Sequence, residues 1–292
     1  MSNGFSFSLR EFIRRFFERF KAPSPQEPNT TKIILTIWQK RLLNPHWWDH
    51  IEGFDAISIK CVDGDSFYSM RDALSMGSIV LDKGLELHAW GFHYCLNRKD
   101  TVEEAKTAAN ACKKMGASAY HWNAEKHWAG GEDPVGCGKV FAQTFKELLP
   151  DVELYANCFS SHASTDLLVF MDRYEPMLYG TRRKTVENKF DDRLGREDIP
   201  DEKKCAMVGT GRRDVNNPKR AWGYLNPSNG RTSPLGLAQL VVKHKPHSIN
   251  FFRAGIADGE DIMVIGNTIN PTLSEQVRHI RSLLDEERIS RD

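Results

Sequence analysis

The chain has almost no excess of charge of either sign: 40 lysines and arginines stand against 39 aspartates and glutamates, a formal net charge of +1. Proteins that hold nucleic acid by bulk phosphate neutralisation carry a strong basic surplus, so no nucleic-acid partner is expected, local basic patches aside. The six cysteines (Cys61, Cys95, Cys112, Cys137, Cys158 and Cys205) form no CxxC pair. That excludes zinc-finger spacing and leaves scattered thiols of the kind kept reduced in a cytosol. HExxH and GxSxG are both missing, so neither a zincin site nor a nucleophile elbow is expected. No apolar run is long enough to span a bilayer. The first twenty residues lack a secretory h-region too, because Arg10, Arg14, Arg15 and Arg19 interrupt their apolar positions. The expectation is a protein made in the cytoplasm which, if it acts outside the cell, leaves by lysis or is carried in a virus particle.

What the N-terminal stretch does have is an aromatic stripe. "SLREFIRRFFERFK" sets Leu9, Phe12, Ile13, Phe16, Phe17 and Phe20 on one helical face, and Ser8 with Glu11 fits a capping box. "APSPQEPN" follows with three prolines, a semi-rigid linker. The expected division is therefore an amphipathic helical segment at 1–21, a linker at 22–31 and a main domain at 32–292. The helix either packs on that domain or docks on a protein partner or interface.

From residue 32 onward, β-rich runs alternate with helical patterns. Strands are expected at 33–39, 54–61, 85–94, 118–125, 152–159, 176–180, 204–211 and 247–255. Helices are plain in "TVEEAKTAANACKKMGA", "GKVFAQTFKELLP", "STDLLVFMDRY", "SPLGLAQLVVKHK" and "TLSEQVRHIRSLLDEER". The helix after the sixth strand, within "TVENKFDDRLGRED", is the weakest of the set. Eight strand–helix repeats predict an α/β fold, a parallel sheet closed into a (β/α)8 TIM barrel.

In that fold the site lies at the C-terminal ends of the strands, which singles out "YHWNAEKHW" at 120–128. Glu125 closes the fourth strand. By strand alternation it shares a face with Asn123 and His121, while Trp122 turns to the core. Glu125 is the expected general acid. Asp63 and Asp65, in "CVDGDS" beyond the second strand, are the best candidates for a second carboxylate, Asp63 first and Asp214 a weaker choice; the same "DGD" also reads as a plain turn. Lys60, Trp90, His93, Tyr94, Asn123, Asn157 and Tyr179 are expected to bind substrate, since aromatic faces stack on sugars and Asn, His and Tyr bond hydroxyls. "TRRK" (181–184) and "GTGRRD" (209–214) are basic clusters; they read as solvated loops or, through Arg212 and Arg213, as an anion site. The closeness of His121, Glu125 and His127 gives no standard metal geometry. No metal and no cofactor is expected.

"FDAISIKCVDGD", "LELHAWGFHY", "TVEEAKTAANACKKMGASAYHWNAEKHWAG" and "PMLYG" together resemble, in order and spacing, pieces of glycoside-hydrolase barrels. The nearest likeness is to the family 25 lysozymes and related bacterial and phage barrels, over residues 33 to 185. The resemblance implies that "K-x-x-D-G" begins at Lys60 and holds Asp63. It also implies that "W-G-x-H-Y" runs from Trp90 to Tyr94, and that the family's Asp-x-Glu ends at Glu125, whose carboxyl protonates the glycosidic oxygen. Here Asn123 replaces the aspartate. It can bond an acetamido group but supplies no charge. Either another carboxylate takes that role in an enzyme acting on a cell-wall or other polysaccharide, or the barrel is catalytically degenerate and serves as a glycan-binding or structural module, such as one in a virion. A third reading, an enzyme of phosphorylated small molecules, would use the arginine loops.

Overall fold

The structure is a computed structural model that describes residues 31–38, 48, 51–158, 163–178, 186–209, 234–254, 264–265, 268–269 and 271–289. The expected helical segment at 1–21 and the linker from 22 to 30 of its expected 22–31 lie outside the described residues. Nine strands make the main sheet: β1 (Lys32–Ile37), β2 (Ala56–Asp63), β3 (Ser66–Phe67), β4 (Glu86–His93), β5 (Ala119–Ala124), β6 (Glu153–Cys158), β7 (Arg173–Tyr174), β8 (Ala206–Gly209) and β9 (Ser248–Ala254). Helices follow most of them: α1 (Met70–Asp82), α2 (Arg98–Met115), α3 (Lys126–Ala129), α4 (Pro134–Leu148), α5 (Thr165–Leu168), α6 (Val186–Leu194), α7 (Pro234–His244) and α8 (Pro271–Ile289).

The strand order is β7-β6-β5-β4-β2-β1-β9-β8, parallel at every step, with β3 pairing antiparallel to β2. Single parallel bridges Tyr174–Lys204 and Met177–Met207 then join the β7 end to β8. Backbone bonds Cys205 N–Tyr174 O (2.8 Å) and Leu178 N–Met207 O (2.7 Å) reinforce them. The eight parallel strands thus form the expected TIM barrel. The sixth is the one displaced. It begins at Arg173, three residues before the expected 176–180: Arg173 and Tyr174 belong to this strand and not to the helix expected over "STDLLVFMDRY", which the structure confines to Thr165–Leu168.

The outward strand faces are apolar and pack on the helices. Ile33, Ile57, Leu87, Trp122, Leu154 and Phe251 meet Ala108, Cys112, Phe141 and Phe145 in one core, each large side chain contributing about 1.5–3 kcal/mol. α2 begins on Asn97, whose side chain accepts from Asp100 N, and ends on Gly116 at φ 69°, the left-handed stop that favours glycine. α4 starts with Asp133 capping Gly136 N and a proline in its first turn.

The inward faces are different. Lys32, Thr36, Ser58, Lys60, His88, His121, Asn123, Asn157, Glu175 and Asn250 are all buried. Barrel interiors are more often layered with branched aliphatics. Polar groups out of water require partners, and here many of them bond to one another.

Candidate active site

Glu125 leaves β5 at the C-terminal mouth and stands immediately before α3, with its side chain making no capping bond to that helix. The half-buried carboxylate accepts instead from Asn123 Nδ2 at 3.2 Å. Asn123 is buried, yet its Oδ1 has no protein partner. Register places Asn123 beside Asn157 on β6, and the Asn157 Oδ1 is likewise buried without a partner. Two free amide acceptors therefore lie on neighbouring strands next to a carboxyl group.

The opposite wall comes from β2 and β4. Lys60 Nζ donates to Asp63 Oδ2 at 2.7 Å, and Tyr94 OH donates to Asp63 Oδ1 at 3.1 Å. Desolvation, then the Asp63 charge and hydrogen bond, raises the Tyr94 phenol above its ordinary range, so it remains a donor. The "DGD" stretch is also a turn, closing the β2–β3 hairpin with Asp63 opposite Ser66 and Gly64 at φ 61°. A Cβ at Gly64 would touch the Tyr94 ring at 3.0 Å, so the turn needs glycine on two counts. Asp63 is level with Phe92, and Phe92 with Asn123. Two strand spacings, about 10 Å, thus separate the Asp63 and Asn123 backbones.

Aromatic rings line this wall. Trp38 meets Trp90 edge-on at 5.1 Å and Phe252 at 5.8 Å. The Lys60 ammonium lies 4.3 Å from the Tyr68 ring centre, 4.6 Å from Trp38 and 5.4 Å from Trp90, within cation–π range. His127 packs on Tyr94 at 5.4 Å and Phe92 at 6.2 Å.

No protein-family profile and no curated protein matches the chain. Solved structures do. A GH18 chitinase from Pseudoalteromonas aurantia superposes over 76% of this chain and 94% of its own, with TM-score 0.56 and 12% identity. A class V chitinase from Pseudomonas fluorescens covers 87% of this chain and 99% of its own, with TM-score 0.61 and 8% identity. The spore cortex-lytic enzyme SleL of Bacillus megaterium covers 79% and 72%, with TM-score 0.55 and 9% identity. The shared fold is the (β/α)8 barrel. At such identities the likeness is one of fold alone.

Among the expected site residues, the barrel mouth thus gathers Glu125, Asn123, Asn157, Lys60, Asp63, Trp90 and Tyr94. His93 is a correction. Trp90 and Phe92 face inward, so His93, odd in the alternation, faces the helices. Its Nδ1 donates to Glu104 at 3.0 Å and its Nε2 accepts from Tyr120 OH at 2.6 Å, and burial lowers its pKa, keeping it neutral. Tyr179, Arg212, Arg213, Asp214 and the 181–184 cluster lie outside the described residues.

His93, Cys95 and Glu104 hold potential metal-ligand atoms within 4.8 Å of one another. Glu104, however, already accepts from the backbone N–H groups of Tyr94 and Cys95, each at 3.0 Å. Burial also raises the Cys95 thiol well above its usual value, which keeps it protonated and a poor ligand. The trio is a clamp on the turn where Cys95 takes φ 44°. Missed from the sequence was Glu175, fully buried in the lumen and bonded to His121 Nδ1, Asn157 Nδ2 and Asn250 Nδ2. Its signal was period-two polarity in "RYE", where Arg173 and Glu175 share the inward face.

Proposed function

We propose that the chain is a glycoside hydrolase acting on an N-acetylated polysaccharide, chitin or bacterial cell-wall glycan, with Glu125 as general acid. The observation that carries this reading is Asn123, which donates to Glu125 while its own buried oxygen is left as a free acceptor. A carboxyl C=O oxygen accepts from the Asn123 NH2 group whether or not the acid holds its proton, so this bond at 3.2 Å is compatible with a general acid. A buried acceptor without a partner is costly, and an acetamido N–H would satisfy it.

Glycoside hydrolysis ordinarily uses two carboxylates. Asn123 cannot be the second. Asp63 is occupied on both oxygens and serves to hold Lys60 and Tyr94. Among the described residues, what remains as nucleophile is the substrate's own group: the acetamido oxygen of an N-acetyl sugar, the substrate-assisted route. Glu125 would protonate the leaving oxygen, and the aromatic wall would stack on the sugar rings. The motif order resembling family 25 lysozymes points to the same class of glycan, as do the names of the chitinases and of the cortex-lytic enzyme.

The missing charge at Asn123 also favours a second reading, a barrel that binds glycan without cleaving it, attached to a partner or interface by residues 8–21. Reducing-end release from chitin, peptidoglycan and xylan separates the two. The hydrolase should cut the N-acetylated polymers and spare xylan, and Asn123→Asp should raise turnover by returning a charge beside the acetamide. Inert wild type and variant, with chitooligosaccharide binding retained, would establish the binding module.

A further inference from the structure

A line of buried polar groups crosses the barrel beneath the mouth. Lys32 Nζ lies 2.7 Å from Glu86 Oε2, which lies 3.4 Å from His88 Nε2. His88 Nδ1 lies 3.0 Å from His121 Nε2, and His121 Nδ1 lies 2.8 Å from Glu175 Oε2. From Glu86 to Glu175 there are three contacts, and each needs one proton between its two heavy atoms. Ionised carboxylates bring none, and two neutral imidazoles bring two. One proton more is required.

The position of that proton is set by burial and pairing. Glu86 is partly exposed at the far end of the barrel and already has the Lys32 ammonium. Burial pushes its carboxyl up, but the His88 hydrogen bond and Lys32 outweigh this and hold it at about 2. Burial lowers His88 to about 4. Glu175 is fully buried, and among the described residues no lysine or arginine pairs with it. A buried carboxylate without a cation is expensive. Among the described residues beside the pair, burial raises Tyr155 well above its normal value and Cys205 to about 12, so both are neutral, and the nearby Arg173 guanidinium is paired with Glu153.

We propose that His121 and Glu175 share the additional proton as an imidazolium–carboxylate pair, and that this pair fixes which way the Asn157 amide faces at the floor of the site. An ionised Glu175 accepts only, so Asn157 must present its NH2 group, which it does at 3.0 Å, the same nitrogen also donating to Met207 Sδ at 2.9 Å, and Oδ1 is left free. A neutral Glu175 would have a hydroxyl to donate, and the amide could turn over and present N–H groups to the cleft. The pair therefore makes His121 and Glu175 positioning residues that keep the floor an acceptor surface, selecting ligands with N–H or O–H donors. This consequence for ligand choice rests on the glycan reading; the proton count does not.

The test is long-range 15N–1H correlation on the full chain labelled at its histidines, at pH 7.5. The proposal expects His121 with both ring nitrogens protonated and His88 neutral with its proton on Nε2. One bare nitrogen on His121 overturns it. In Glu175→Gln the counter-charge is gone and the His121 imidazolium pattern should disappear; its persistence also overturns the proposal. If that variant does not fold, the wild-type spectrum decides alone. A hydrolysis assay that fails while the imidazolium pattern is present would reject the glycan reading and leave the pair intact.

Discussion

Replacing Glu104 tests how the wall of the site is held. Its buried carboxylate accepts from Tyr94 N, Cys95 N and His93 Nδ1, each at 3.0 Å. Alanine would orphan two buried donors, His93 Nδ1 and Cys95 N, at about 1–3 kcal/mol each, and the part-buried Tyr94 N–H besides, a large share of a total stability of about 5–15 kcal/mol. Glutamine is the more useful change. Its oxygen can keep Cys95 N–H, and its NH2 group can donate to His93 if the imidazole moves its proton to Nε2, where Tyr120 OH can accept it. The Tyr94 N–H has no such recourse and meets a second donor. One part-buried bond and the charge assistance on the two buried ones are lost, so Glu104→Gln should cost about 1–3 kcal/mol. Urea unfolding followed by circular dichroism measures it. A loss under about 0.5 kcal/mol would refute the clamp, since losing one bond and weakening two buried charge-assisted ones cannot be that cheap.

Gly91→Ala should destabilise by at least the 1–3 kcal/mol typical of overpacking, because its Cβ would lie 2.2 Å from Tyr120 OH and 2.8 Å from Val62 Cβ; thermal melts check this, and an unchanged midpoint would contradict the packing. Stability should fall as pH drops from 6.5 towards 4. Burial holds His88 and His247 at about 4 in the folded chain, so between those values the unfolded state binds more protons and unfolding is favoured. For fully buried His88 the loss is on the order of 3 kcal/mol. Urea midpoints at pH 7, 5.5 and 4 measure it, and a flat profile would show that the histidines are not buried neutral.

The sequence carried the barrel because its outward faces are ordinary: Ile33, Ile57, Leu87 and Phe251 are apolar at alternate positions, and the helices between them have helical periodicity. The lumen was harder to see. Glu86 and His88 lie within the expected strand 85–94, yet their polarity has a reason only in partners from other strands, as His88 has in His121, 33 positions away; Arg173 reads as the end of the helical run "STDLLVFMDRY", and Glu175 meets Asn250 from 75 positions away. That is why the sixth strand was placed three residues late and Glu175 was passed over. Glu125, Asn123 and Asp63 were legible because each ends a strand at the mouth. His93 was misplaced by parity: with Trp90 facing inward, a residue three positions later faces out. The roles of Trp38 and Tyr68 as rings around Lys60 depend on side-chain approach across strands, which spacing along the chain does not encode.

The most direct measurement is the kinetics of Glu125→Gln on chitooligosaccharides carrying aryl leaving groups of different acidity. A general acid contributes about 10²- to 10⁴-fold, and the amide keeps the shape of the site. The variant should therefore lose kcat by that factor on a poor leaving group, with KM nearly unchanged. It should recover most of the loss on a strongly acidic phenol, which departs without a proton. A uniform loss across all leaving groups, or wild-type turnover in the variant, would contradict Glu125 as the acid.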